Sequence, residues 1–272
     1  MAASAIITLD RVSKRFEAKQ ALEQVTTSIQ AGEFVAIIGK SGAGKTTLLR
    51  CLARSIPVSE GRIHVAGQDL AALHGAALRQ HRARVGMIYQ QFNLVRRLRV
   101  LDNVLIGRLP HLTGWWRWAA LGRYFNANQQ EIALRCLDHV GLLDRVWQRT
   151  DTLSGGEQQR VAIAKILAQE PQVILADEPV ASLDVMNGAL VMETLQRIAT
   201  TAGITVVANL HHVEYARRYA DRVLGLGHGR LMFDGPPAGL TEAAVVDLFG
   251  DAPTGAPGST PIAVGEAIWV NS

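Results

Sequence analysis

The apolar run Phe34-Val35-Ala36-Ile37-Ile38 leads directly into Gly39-Lys40-Ser41-Gly42-Ala43-Gly44-Lys45-Thr46, and a segment of helical character follows from about Lys45 to Ala53. No other stretch limits the fold so tightly. A run without polar residues suits a strand covered on both faces, the kind found in parallel sheets. G-x-x-x-x-G-K-T between a strand and a helix is the pattern of a phosphate-cradling loop. Its glycines let backbone N–H groups turn toward an anion, and the following helix directs its positive end at the same point. Lys45 then reaches the outer phosphates of a nucleotide. The Thr46 hydroxyl, beside Thr47, is placed to ligate Mg2+.

The rest of the chain supports an α/β fold. Ile7-Leu9 and Val25-Ile29 belong to short, partly alternating stretches between Ala5 and Gln30 that suit antiparallel strands. Arg62-Val65 and Val85-Tyr89 read as further strands. Residues from about Gln91 to Glu170 read as mostly helical, an inserted sub-domain. Two more apolar strands follow, Val173-Ala176 and Ile204-Ala208, with a helix from about Gly188 to Thr200 between them. Strands alternating with helices imply a parallel sheet. The tail Asp251–Ser272 is rich in Pro, Gly, Ser and Thr and reads as poorly ordered. The expected division is a main domain over 5–250, with the helical sub-domain at about 91–170, and the tail.

Two other motifs carry chemistry. The strand Val173-Ala176 ends in Asp177-Glu178-Pro179. Ligands bind at the C-terminal ends of parallel strands, so Asp177 can face the Mg2+ that Thr46 holds. Glu178 can position or deprotonate a water beside the last phosphate. Leu153-Ser154-Gly155-Gly156-Glu157 is in part a capping box, with Ser154 and Glu157 at the helix start. A cap alone requires no Gly155-Gly156 pair, and bare N–H groups there make a second anion site. One loop and one separate phosphate surface in a single chain suggest a two-fold dimer in which each copy completes the other's site.

Composition excludes several classes. With 48% hydrophobic and 19% charged residues among 272, the chain is neither fibrous nor disordered. It lacks the roughly 20-residue apolar run of a membrane span and a secretory leader, so it is expected in the cytosol. Cys51 and Cys136 form no disulfide framework, and Cys136 falls in a helical stripe with Ala133, Leu137 and Val140 that suits a core. A net charge of +4 permits contact with phosphates or membranes. No stripe of interleaved aromatic and basic residues marks a nucleic-acid groove, and no nucleic-acid partner is expected.

Together the loop, Leu153-Ser154-Gly155-Gly156-Glu157-Gln158 and Leu175-Ala176-Asp177-Glu178-Pro179 resemble the nucleotide-binding subunits of ATP-binding cassette (ABC) transporters, over about Ile6 to Gly250. The resemblance implies ATP and Mg2+ as ligands and hydrolysis as the reaction. It implies that Gly39 through Thr47 bind nucleotide and that Phe16, where the family usually has Tyr, stacks on adenine. Ser154, Gly155 and Gly156 would serve the ATP of the opposite copy, and Asp184, in Ser182-Leu183-Asp184, would lie at the dimer interface. Gln90 matches the glutamine that senses Mg2+, with Gln91 as the alternative. His211 matches the histidine on the γ-phosphate, with His212 as the alternative. Glu178, His211, Gln90 and Lys45 form the catalytic set, and Thr46, Gln90 and Asp177 the metal set. For Phe16 a place in the core of the small sheet is the competing reading. The partners implied are a second copy, two transmembrane permease subunits and, indirectly, a periplasmic or lipid-anchored binding protein, at the cytoplasmic face of the bacterial inner membrane.

Within the family, Tyr89-Gln90-Gln91-Phe92-Asn93-Leu94-Val95, Asn103-Val104-Leu105-Ile106-Gly107 and Leu210-His211-His212-Val213-Glu214-Tyr215 look like the ATPase subunits of bacterial phosphonate importers. Val185 stands in place of a common proline and Asn209 in place of a small hydroxyl or similar residue, neither changing a catalytic group. Trp115, Trp116 and Trp118, close to Arg117 and Arg123, suit either a permease or headgroup contact or the sub-domain's own core. Exporters and lipoprotein-releasing ATPases share these motifs. DNA-associated relatives place long coiled coils between the loop and the second motif, whereas here Ser154 follows Lys45 by only 109 residues.

Overall fold

A computed structural model of the chain describes residues 5–17, 19–112, 114–115 and 125–250. The expectations for Trp116, Arg117, Trp118, Arg123 and the tail from Asp251 lie outside these residues. Two sheets organise the fold. The smaller is built from β1 (Ala5–Phe16), β2 (Lys19–Gln30), β4 (Glu60–Val65) and β5 (Gln68–Asp69), in the order β2-β1-β4-β5 and antiparallel throughout. The larger runs β10-β9-β3-β8-β7-β6. Its strands are β3 (Phe34–Ile38), β6 (Val85–Ile88), β7 (Val173–Asp177), β8 (Thr205–Asn209), β9 (Arg222–Gly227) and β10 (Arg230–Gly235). All its pairs are parallel except β10 with β9. A mostly parallel sheet with a phosphate-loop sequence directly after β3 is the α/β arrangement that the sequence predicts.

Side chains alternate across a strand, and the buried β3 divides its residues between two cores. Phe34, Ala36 and Ile38 join a helical layer. Its main members are α3 (Val100–Ile106), α4 (Ala127–His139), α5 (Gly155–Leu167) and α6 (Val185–Ala202). Val35 and Ile37 join the core shared by the small sheet and α1 (Lys45–Leu52). β7 and β8 split the same way. Cys136 is buried with Ala133 and Leu137 on α4 and with Val140 at its C-cap, as the stripe requires.

The structure differs from the sequence reading at several elements. α6 starts at Val185 and not at Gly188, because the Asp184 side chain accepts a hydrogen bond from Asn187 N and caps it. Gly188 is interior, where a Cβ would lie 2.7 Å from the Tyr215 hydroxyl. β8 ends one residue later, on Asn209. The helices α2 (Gly75–Arg84), α7 (Val213–Tyr219) and α8 (Glu242–Phe249), and the β9–β10 hairpin, were not anticipated. α2 buries only His81, so it has no apolar stripe to read. β9 holds Gly225 and Gly227, which weaken a strand pattern but are required here, since a Cβ at Gly225 would meet Leu248 at 2.7 Å. No helix among the described residues is long and apolar enough to cross a membrane.

Candidate functional site

The order β3-β8-β7 brings three strand ends to one edge. Ile37 pairs with Asn209, and Asn209 with Asp177. The loop after β3 therefore stands beside Asp177 at the end of β7, Glu178 just after it and the histidines after β8. Between them is a cleft of about 340 Å3 whose lining includes Phe16, Gly42, Lys45, Thr46, Glu178 and His211. Ser41, Gly44 and Thr47 also line it.

The loop's glycines have steric reasons. Gly39 has φ +141, and a Cβ there would lie 2.1 Å from the Leu226 carbonyl oxygen. Gly44 has φ +105, and its Cβ would lie 2.4 Å from the Ala21 carbonyl oxygen. Lys45 is buried, and its Nζ donates to the Gly39 carbonyl at 2.6 Å and the Lys40 carbonyl at 3.1 Å. Burial lowers its pKa, while the nearby charges of Glu178 and Asp177 oppose that shift. The ammonium is thus held at the loop, opposite two acids. Ala43 is buried and anchors the turn.

On the facing side, the Thr46 hydroxyl donates to Asp177 Oδ1 at 2.9 Å. Glu178 adopts φ +53, a conformation L-residues rarely take outside functional or turn positions. His211 donates from Nε2 to Glu178 Oε1, because an ionised carboxylate only accepts. His212 instead packs edge-on against Tyr215, with ring centroids 6.0 Å apart. Phe16 is 45% exposed, which removes it from the small-sheet core, and Lys14 Nζ sits 4.8 Å from its ring centroid.

These oxygens fit a hard divalent cation. A hydroxyl and a carboxylate converge, and the buried Asn209 Oδ1 has no hydrogen-bond partner. Among the described residues no group of three or more His, Cys, Asp or Glu could cage a metal. A cation here would complete its shell with water and phosphate oxygens, the mode Mg2+ adopts.

The remaining predicted residues lie elsewhere on the same chain. Gln90 and Gln91 are exposed and both line a separate hollow with Phe92, Gln158 and Ser182. Ser154 caps α5 in a complete capping box. Its hydroxyl donates to Glu157 Oε2 at 2.9 Å. Gly155 and Gly156 form the first turn of α5, and Gly156 has a packing role that sequence reasoning missed. A Cβ at Gly156 would lie 2.4 Å from Asn187 Oδ1 and 2.8 Å from Asn187 Cβ. Asn187 in turn donates from Nδ2 to Asp184 Oδ2 at 2.6 Å. Its backbone and side-chain donors hold the Asp184 carboxyl below the usual carboxylate range. Gly156→Ala is expected to displace Asn187 and loosen the Asp184 cap. Overpacking of this kind costs about 1–3 kcal/mol, and differential scanning calorimetry should show a drop of about 2–4 °C per kcal/mol.

Sequence reasoning took Asn209 as a departure that leaves the catalytic groups unchanged, and gave it no role in the site. It is fully buried, and its Nδ2 donates to Asp177 Oδ1 at 2.7 Å. The signal available was an amide at the end of an apolar strand. Lys19 and Ala21, from β2, line the cleft as well.

The sequence model of the ABC transporter family matches residues 22–181. The chain belongs to the ABC transporter family. The cassette is 48% identical over 257 residues to the Phosphonates import ATP-binding protein PhnC of Rhodopseudomonas palustris (strain BisB5), covering 94% of both chains. It is 44% identical over 263 residues to PhnC of Bradyrhizobium diazoefficiens, covering 97% of both. Among solved structures, the dimeric bacterial ABC transporter cassette MJ0796 superposes with a TM-score of 0.74 at 32% identity, covering 85% of this cassette and 98% of that chain. A post-hydrolysis dimer of MJ0796 bound to ADP and Pi gives 0.73 at 31% identity, with the same coverage.

Proposed function

We propose that the chain is the ATP-hydrolysing subunit that powers import of a phosphonate, or a related phosphorus oxyanion, through a membrane permease. The observation that carries this reading is the 48% identity to a phosphonate-import subunit across 94% of both chains. The working unit is a pair of cassettes on two permease subunits at the cytoplasmic face of the inner membrane, fed by a binding protein on the far side. Residues 5–250 make the motor, with 91–170 as its helical sub-domain.

In this reading the N–H groups from Gly39 to Thr47 and the Lys45 ammonium grip the β- and γ-phosphates, and Phe16 offers its ring to adenine. Thr46 and Asp177 would hold Mg2+, which when bound neutralises charge on the phosphate oxygens, and Gln90, which lines a separate hollow here, would have to move toward the cleft to reach it. Glu178 takes a proton from the attacking water as its oxygen bonds to the γ-phosphorus. The bond from that phosphorus to the β–γ bridging oxygen breaks, and the electron pair leaves with ADP. His211, already donating to Glu178 Oε1, fixes the direction of that carboxylate. Ser154, Gly155 and Gly156 serve the γ-phosphate held by the other copy, and Asp184 lies where the copies meet.

The test is affinity purification of the tagged chain from gently solubilised native membranes. The expected result is recovery of polytopic permease subunits, and hydrolysis by that complex that rises with a phosphonate and its binding protein. Recovery of only soluble or nucleic-acid-associated partners would overturn the transport reading. Stimulation by a different solute, with none by phosphonates, would overturn the substrate.

A further inference from the structure

We infer that Asn209 is a positioning residue that sets Asp177 and Thr46 for the cation, an inference that rests on the cleft being a Mg2+–nucleotide site. β8 lies between the strand that bears the phosphate loop and the strand that bears Asp177. The register puts Asn209 beside Ile37 on one side and Asp177 on the other. It is the last residue of β8, after Val206, Val207 and Ala208, all fully buried, and it is itself 0% exposed.

Its amide spans the pair. Nδ2 donates to Asp177 Oδ1 at 2.7 Å and to Thr46 Oγ1 at 3.4 Å. The Thr46 hydroxyl donates to the same Oδ1 at 2.9 Å. Two donors on one carboxylate oxygen fix the rotation of the group. Among the described residues no hydrogen-bond donor meets Oδ2. The carboxylate is therefore held with one oxygen engaged by the protein and the other left for what enters the cleft. A neutral donor suits this task. A lysine or arginine would cancel the charge that attracts a cation, and a second carboxylate would repel Asp177.

The fold alone does not call for an amide here. Burying an unpaired polar atom is costly, and buried polar groups are as a rule paired. Asn209 Oδ1 is buried with no partner. An apolar residue continuing Val207-Ala208 would seal the strand end without that cost. The amide is explained by what its other end does for Asp177, and Oδ1 is an acceptor available to a water in the cation's shell.

The experiment compares the full chain with Asn209→Leu, close to asparagine in shape but without a donor, and with Asn209→Ala, which adds no bulk against Thr46. ADP affinity is measured by calorimetry in EDTA. Mn2+ binding to the ADP-loaded protein, with protein in excess, is read from loss of the free-ion electron paramagnetic resonance signal. ATP hydrolysis is followed along a Mg2+ titration. Both variants should keep their EDTA affinity within about twofold. Half-saturating Mn2+ and Mg2+ should rise about tenfold, as expected from losing one hydrogen bond to a charged group. Hydrolysis should return in large part at high Mg2+. Metal half-saturation within about twofold of the wild type, with only a lower melting temperature, overturns the inference and leaves Asn209 as strand-end packing. If one variant fails to fold, the other gives the same reading. Failure of the underlying site is separable, because it would be seen in the unsubstituted chain as ADP and Mn2+ binding independently of each other.

Discussion

Glu178→Gln is expected to lower ATP hydrolysis by about 10²–10⁴-fold, the range associated with loss of a general base, while ATP binding persists. The substitution keeps the shape of the side chain, so the turn after β7 is preserved, along with its φ of +53 at this position. What is lost is the capacity to take a proton. Removing a negative charge beside the γ-phosphate also removes a repulsion, so two copies closed around ATP should accumulate. Phosphate release measures the first effect, and light scattering with ATP against ADP measures the second. A variant that hydrolyses ATP at the wild-type rate would show that another group activates the water.

Lys45→Ala should have a comparable effect by a different route. Lys45 Nζ holds two carbonyls of its own loop, at Gly39 and Lys40. Phosphates entering the cleft would take over the ammonium in their place. Truncation therefore removes the charge for the ligand and leaves two carbonyls short of a donor. Each hydrogen bond to a charged group is worth about 1.5–3 kcal/mol, so nucleotide affinity should fall by at least about tenfold. The melting temperature of the ligand-free chain should fall as well, and the rise that ATP causes by binding only the folded state should shrink, by up to about 1.4 kcal/mol of stabilisation for each tenfold of lost affinity. A variant whose melting point still climbs with ATP as in the wild type would place the phosphates away from Lys45.

The parts of this chain that were legible in its sequence are those where one local rule decides the outcome. β3 could be read to the residue, because Phe34–Ile38 is covered on both faces and must be apolar throughout. Lys45, Thr46, Asp177 and Glu178 could be found because a phosphate loop and a strand-end acid have fixed places in a parallel sheet. The misses occur where tertiary packing sets the residue. Gly188 looked like a helix start and is an interior glycine under Tyr215. Asn209 ended the apolar run in the sequence, so the strand was read as stopping before it, whereas the sheet continues through it. Asn187 carried no signal, because its role is visible only once α5 and α6 are packed and Gly156 lies against it. Phe16 could be read as core or as ligand surface, and only its exposure separates the two.

Because β3 has no free face, the chain has an anvil beneath the phosphate loop. Its five residues are all buried, with Phe34, Ala36 and Ile38 locked into one core and Val35 and Ile37 into the other. Close-packed interiors transmit strain and do not absorb it. The free energy released when the loop grips phosphate therefore has little slack to dissipate into below it. Any movement that binding causes is therefore directed to the neighbouring segments of mostly exposed residues, the stretch 90–93 and the stretch 181–186. A rigid seat beside two compliant edges is the arrangement that lets chemistry at a strand end do mechanical work on whatever touches those edges.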